Sequence, residues 1–220
     1  FGSAYGVMAA VARGLGRRQE SEDHIKNAVA RLDRVTERER YRIRGLSFLL
    51  SGDQQKCVEE YTALISRYAS DATAHNNLAL CASQSRDIPK AIAALQEAVA
   101  IMPKSVRHRS SLSVYSSYGG DFETAEREAQ ELHKLDPMFA KGFAALAFAF
   151  LGRCRLSDPA NVYEQLRTIN ASDAASGLAD MALFEGRLTD AARLLETAAA
   201  ADMAAKAPDR AADKLSLLAY

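Results

Sequence analysis

Two prolines set the period of this chain. Pro137 follows Pro103 by thirty-four residues, and each closes a stretch with the same order of small and apolar residues. In a frame opened at Ala72, Leu78 and Ala79 take positions 7 and 8, Ala91 position 20, Leu95 position 24, Ala98 position 27 and Pro103 position 32. In the next frame, opened at Val106, Leu112 and Ser113 take 7 and 8, Gly120 takes 15, Ala125 takes 20 and Pro137 takes 32. A period of this length marks stacked helix–turn–helix units, each touching only its neighbours. It points to an extended binding surface rather than to a reaction centre.

The frame extends in both directions, giving units near 2–35, 38–71, 72–105, 106–139, 140–171 and 172–205. Position 8 is then Ala9, Gly45, Ala79, Ser113, Ala147 and Ala179, all small, as two helices packed along their length require where their axes come nearest. Position 7 is Met8, Arg44, Leu78, Leu112, Leu146 and Leu178, apolar except for Arg44. Gly16, Gly52, Gly120 and Gly186 fall in the turn at position 15, where a left-handed residue ends one helix. Asp53, Asp87 and Asp121 follow, placed to meet the N-terminal dipole of each second helix. Thr36 with Glu39 forms a capping-box pattern. Asp136-Pro137 and Asp158-Pro159 read as N-caps followed by a first-turn proline. The fifth unit departs from the pattern: Cys154 and Arg155 replace the Gly-Asp pair, and Gly152 to Pro159 reads as a looser connection. A partial helix over 210–220 ends the chain. The expectation is one all-α solenoid domain over 1–220.

Composition narrows the function. Twenty-eight basic and twenty-eight acidic side chains cancel, which gives no general attraction to nucleic acid or to acidic membranes. Cys57, Cys81 and Cys154 are odd in number and widely spaced, so no disulfide framework and a reducing, cytoplasmic compartment are expected. The longest apolar run, Phe143 to Leu151, is too short to span a bilayer. The chain opens on Phe1 and stops within an apolar run, and reads as a piece of a longer protein. His24, His75, His108 and His133 show no metal-ligand spacing; His75 falls at a packing position and the other three are expected in solvent. Gly14-Leu-Gly16 lacks the third glycine and the Lys-Ser/Thr pair of a phosphate loop. No nucleophile stands beside a base at a recognisable spacing. The reading is a non-enzyme with no cofactor and no metal.

The pattern resembles the tetratricopeptide repeat. Tyr5, Tyr41 and Phe143 match that family's large residue at position 4, Phe48 and Phe150 its aromatic at 11, and Tyr61 its aromatic at 24. His75 and Arg109 depart from it at position 4. The resemblance implies a right-handed superhelical solenoid of antiparallel helix pairs that binds proteins or peptides. A narrower likeness, carried mostly by Thr-Glu-Arg-Glu-Arg-Tyr at 36–41, is to repeat regions behind kinase or DNA-binding domains of large bacterial signalling proteins.

In this family the first helix of each unit lines the concave surface. The groove residues so implied are Arg42, Asn76 and Ser110 at position 5, Leu46, Leu80, Val114 and Phe148 at position 9, and Leu49, Ser83, Ser117 and Leu151 at position 12, with Arg107 at position 2. An apolar stripe flanked by polar and basic groups fits an extended or helical peptide. Packing against neighbouring helices is the competing use of the same apolar residues. The chaperone-tail clamp of one branch is matched by Arg42, Asn77 and Arg107, but Leu46 and Ser111 replace its other residues, so that partner is rejected. Six arginines between Arg31 and Arg44 alternate with Asp33, Glu37 and Glu39, the pattern of a salt-bridged helix face, with an anion or acidic-peptide contact as the alternative use of the arginine forks. A regulatory region of a kinase or transcriptional regulator, and a spacer or self-association module using exposed terminal repeats, are the alternative functions.

Overall fold

The computed structural model describes residues 1–155 and 157–218. Among these residues there are thirteen α-helices, one 3-10 turn and no strand. The chain divides into two compact units, Phe1–Gly119 and Gly120–Tyr220. The first holds α1 (Gly2–Gly14), α2 (Arg18–Val29), α3 (Glu37–Ser51), α4 (Gln54–Arg67), α5 (Ala72–Gln84), α6 (Ile88–Ile101) and α7 (Val106–Tyr118). The second holds α8 (Phe122–Leu135), α9 (Ala140–Gly152), α10 (Ser157–Leu166), α11 (Ala171–Phe184), α12 (Leu188–Ala204) and α13 (Pro208–Leu218). Within each unit every helix packs on the next in sequence.

Burial follows the repeat frame. Ala9, Ala79, Ser113, Ala147 and Ala179 are all 0% exposed, and Gly45 is buried in α3. Gly45 shows why the position must be small: the Tyr61 ring of α4 lies directly against its backbone. Position 20 is equally closed, with Cys57, Ala91 and Ala125 at 0% exposure. The core is therefore a row of small clusters, such as Ala79, Ala82, Ala91, Leu95 and Leu112 between α5, α6 and α7.

The turns keep the frame where their sequence departs from it. Gly16, Gly52, Gly120 and Gly186 have φ between 72° and 80°. Arg86 and Cys154 hold the same left-handed turn at φ 62° and 57° without glycine. The fifth unit thus keeps its turn; Leu156, inside the connection expected to be loose, lies outside the described residues. Asp53, Asp87 and Asp121 are the N-caps of α4, α6 and α8, accepting hydrogen bonds from the backbone N–H of Lys56, Lys90 and Thr124. Both halves of the Thr36–Glu39 capping box form at α3.

Two expected caps are corrected. α9 starts at Ala140 with Phe139 as N-cap, while Asp136 closes α8 and accepts a hydrogen bond from the Met138 N–H. α10 begins at Ser157, so Asp158 lies inside its first turn and pairs with Arg155. A short carboxylate can serve a turn as readily as a helix start, and the dipeptide alone does not separate the two. α13 begins at Pro208 rather than Arg210; residues 219 and 220 of the expected terminal helix lie outside the described residues.

The cysteine expectation is overturned. Cys57 of α4 and Cys81 of α5 form a disulfide with a Cα–Cα distance of 5.8 Å, and Cys154 is free and exposed. Their separation of 24 residues is wide in sequence, but it joins position 20 of one unit to position 10 of the next. Those positions face each other where the second helix of one unit packs on the first helix of the following one. Among the described residues, no helix is long and apolar enough to cross a membrane.

Candidate binding surface on the first helices

In the first unit, α3, α5 and α7 carry the groove positions. Core packing claims two of the apolar ones. Leu46 packs against the Ala9, Ile25, Ala28 and Ile43 cluster, and Leu49 against Cys57, Tyr61 and Leu64. Leu80 and Val114 are half-buried and belong to no core cluster. Beside them, Ser83 Oγ lies 2.9 Å from the Leu80 carbonyl oxygen and 3.0 Å from the Tyr115 hydroxyl. Ser117 donates to the Ser113 carbonyl at 3.2 Å, and Ser110 is buried. Ser83 and Ser117 thus spend their hydroxyls on groups of α5 and α7 themselves.

Arg42 is not free to meet a ligand. Its Nη2 lies 2.6 Å from Asp71 Oδ2, and Arg38 Nε reaches the same oxygen at 3.0 Å. The Asp71 side chain is 1% exposed. It also caps α5 through the Ala74 N–H. Burial alone pushes the Asp71 carboxyl up, but the bonds from Ala74, Arg42 and Arg38 together outweigh it and hold the group below the ordinary carboxylate range. The other arginines of this run are occupied as well. Arg44 pairs with Glu60, Arg40 reaches the Leu32 carbonyl, Arg31 the Asn27 carbonyl, and Arg34 lies near Asp33.

Among the groove positions of the first unit, Asn76 and Arg107 carry uncommitted polar groups. Asn76 is 6% exposed; its Nδ2 makes only a long bond of 3.5 Å to Asn77, and its Oδ1 has no partner among the described residues. Arg107 is exposed at the start of α7 and makes no hydrogen bond or ion pair among the described residues. A buried acceptor without a donor is costly, so a ligand N–H placed there gains more than it would in water.

In the second unit, Phe148 and Leu151 of α9 are half-buried and line a cavity of about 240 Å3 together with residues of α10 and α11. That cavity was not legible in the groove positions alone. It needs Gly177 and Asp180 of α11, whose positions in the sixth unit were not among those chosen. One histidine departs from expectation: His108 is buried, and burial pushes its imidazole below the usual value, whereas His75 takes the packing position expected of it. His75 is buried with Nε2 2.9 Å from the Ala69 carbonyl oxygen.

No protein-family description and no curated protein matches this chain. Solved structures do. The tetratricopeptide-repeat protein TTC0263 of Thermus thermophilus is 18% identical, with a TM-score of 0.65 over 80% of this chain and 96% of that one. A tetratricopeptide-repeat protein of Parabacteroides merdae is 14% identical, with a TM-score of 0.63 over 98% of this chain and 91% of that one. The pilF protein of Pseudomonas aeruginosa is 19% identical, with a TM-score of 0.59 over 80% and 88%. The fold is that of tetratricopeptide-repeat proteins.

Proposed function

We propose that this chain is a non-catalytic interaction module whose first helices hold a peptide segment of a protein partner. The observation that carries this reading is the pair of uncommitted features on α5 and α7. Leu80 and Val114 stay outside the core clusters, and the buried Asn76 Oδ1 beside them lacks a donor. A segment in extended form supplies both needs, with apolar side chains for the first and a backbone N–H for the second once the Asn76 amide turns outward to meet it. Arg107 then attracts an acidic group on the segment, setting orientation and association rate more than affinity. Pre-packed helices keep the ordering cost low on the receptor side.

Arg42 drops out of the contact set, because Asp71 holds it. Leu46 and Leu49 support the surface from within rather than forming it. Phe148 and Leu151 offer a comparable apolar seat in the second unit.

Capture from lysate of the source cell tests the reading. Wild type and a Leu80→Glu, Phe148→Glu double variant are compared after circular dichroism shows that both are folded. Loss of a defined set of proteins by the variant supports the first-helix surface. Identical capture by both removes it.

A second reading has its own observation. Val7 and Val11 on α1 and Leu15 at its C-cap recur every four residues at 64%, 55% and 47% exposure. Such an apolar face favours self-association through the first unit. Light scattering of wild type against Val11→Glu decides it: a dimer that the variant abolishes supports this use, and a wild-type monomer excludes it.

A further inference from the structure

The cavity of the second unit has a chemistry of its own. Its floor is Gly177 of α11, lying under the Tyr163 ring of α10; a methyl group added there would collide with that ring. Its walls are Leu151 of α9 and Met181 of α11. At the rim stands Phe184, a ring 77% exposed. Asp180 also faces the space and makes no hydrogen bond or ion pair among the described residues. Asp180 is exposed to solvent on its outer side, and the partial burial of its carboxyl beside the apolar lining pushes it above the ordinary carboxylate range. Glu185, the other acidic residue at the cavity, is held by Arg187 at 2.6 Å. Asp180 is therefore the uncommitted charge of the lining.

Size and charge select the occupant. At about 240 Å3 the cavity is smaller than the roughly 300 Å3 at which pockets for drug-sized molecules begin, so one side chain fits and a large cofactor does not. An anion would meet Asp180. A neutral apolar side chain would desolvate that carboxylate further and give it nothing in return. A cation on an apolar stem satisfies both walls and charge, and an aromatic ring face at the rim adds attraction for it. Arginine suits this geometry better than lysine, because its planar guanidinium stacks on rings and is weakly hydrated.

We infer that this cavity seats one arginine side chain of the bound partner, its stem along Leu151 and Met181 and its guanidinium between Asp180 and Phe184. The inference rests on the proposal that the first helices bind a peptide segment, and it names one residue that the segment carries.

Isothermal titration calorimetry on the full chain tests it with two probes: the amidated peptide acetyl-Gly-Leu-Arg-Leu-Gly, and the same peptide with Gln in place of Arg. The expected result is a five- to tenfold preference for the arginine peptide, the size of one partly exposed ion pair with one aromatic contact. Asp180→Asn should erase that preference, and Phe184→Ala should reduce it about threefold; both side chains reach solvent, and circular dichroism verifies that the variants are folded. Equal binding of the two peptides, binding of neither, or a preference that survives Asp180→Asn overturns the inference. None of these outcomes touches the reading for α5 and α7, which a capture comparison with Leu80→Glu alone decides, because Leu80 lies outside the cavity lining.

Discussion

Glycine-to-alanine substitution at two helical positions of the first unit should have opposite effects. At Gly45, an added β-carbon would stand 2.7 Å from Tyr61 Cε2 and 2.8 Å from Cζ. Tyr61 is 0% exposed, and its hydroxyl accepts a hydrogen bond from Asn77 Nδ2 at 2.9 Å, so the ring has nowhere to move without breaking that bond. Forcing a methyl group into a filled core costs about 1–3 kcal/mol. Alanine returns up to about 1 kcal/mol through helix propensity. With two ring carbons under 3 Å the cost lies at the upper end, about 2–3 kcal/mol, and after a return of about 1 kcal/mol the net loss at Gly45→Ala is about 1–2 kcal/mol. At Gly14, near the end of α1, nothing lies within 4 Å of the added carbon, so only the propensity gain of up to about 1 kcal/mol is left. Urea unfolding followed by far-ultraviolet circular dichroism reads both values. A Gly45→Ala variant as stable as wild type, or stabilised as much as Gly14→Ala, would refute the claim that α3 and α4 make their closest approach at position 8.

Asp71→Asn keeps a capping side chain but removes the charge that binds Arg38 and Arg42, and should lower stability by about 2 kcal/mol at neutral pH. Because the folded-state pKa of Asp71 is depressed, its contribution is complete above the unfolded value near 4 and is lost as pH falls through the folded one. The wild-type advantage should therefore shrink below about pH 4, and a gap that persists in strong acid would contradict the assignment. Arg86→Gly should raise stability by up to about 1 kcal/mol in thermal or urea unfolding, since Arg86 sits at φ 62° in an exposed turn. Replacing Cys57 and Cys81 together by alanine should cost about 3.5 kcal/mol under non-reducing conditions, the chain-entropy value for a closed loop of 24 residues. Unchanged unfolding midpoints would show that the bond is not formed in solution.

Features carried by one residue type at one repeat position were legible before any coordinates. The small residue at position 8 is buried in every unit, and the Asp after each turn caps the next helix. Both depend on backbone geometry that recurs with the period. Features that join different positions of neighbouring units were missed. Arg38 and Arg42 read as part of a salt-bridged helix face, but the period does not supply their partner, because Asp71 lies about thirty residues away at the N-cap of α5. The Cys57–Cys81 bond escaped for the same reason. The cysteines join a second helix, α4, to the first helix that follows it, α5, whereas the arginines join the first helix α3 to the N-cap of the next first helix, α5. In the groove, periodicity found the right helices but could not separate Leu46, taken by the core, from Leu80, left outside it. That distinction depends on the residues opposite: Leu46 meets Gly6 and Ile43 across α1 and α3, and no cluster closes over Leu80.

The most direct measurement is amide chemical-shift mapping with a peptide selected from a random library on the folded chain. If the first helices are the working surface, perturbations concentrate around Leu80, Asn76 and Val114, or around Phe148 and Asp180, and Leu80→Glu or Phe148→Glu weakens the matching peptide by at least about tenfold. Perturbations confined to second helices such as α4, α6 or α12, with affinity unchanged in both variants, would contradict it.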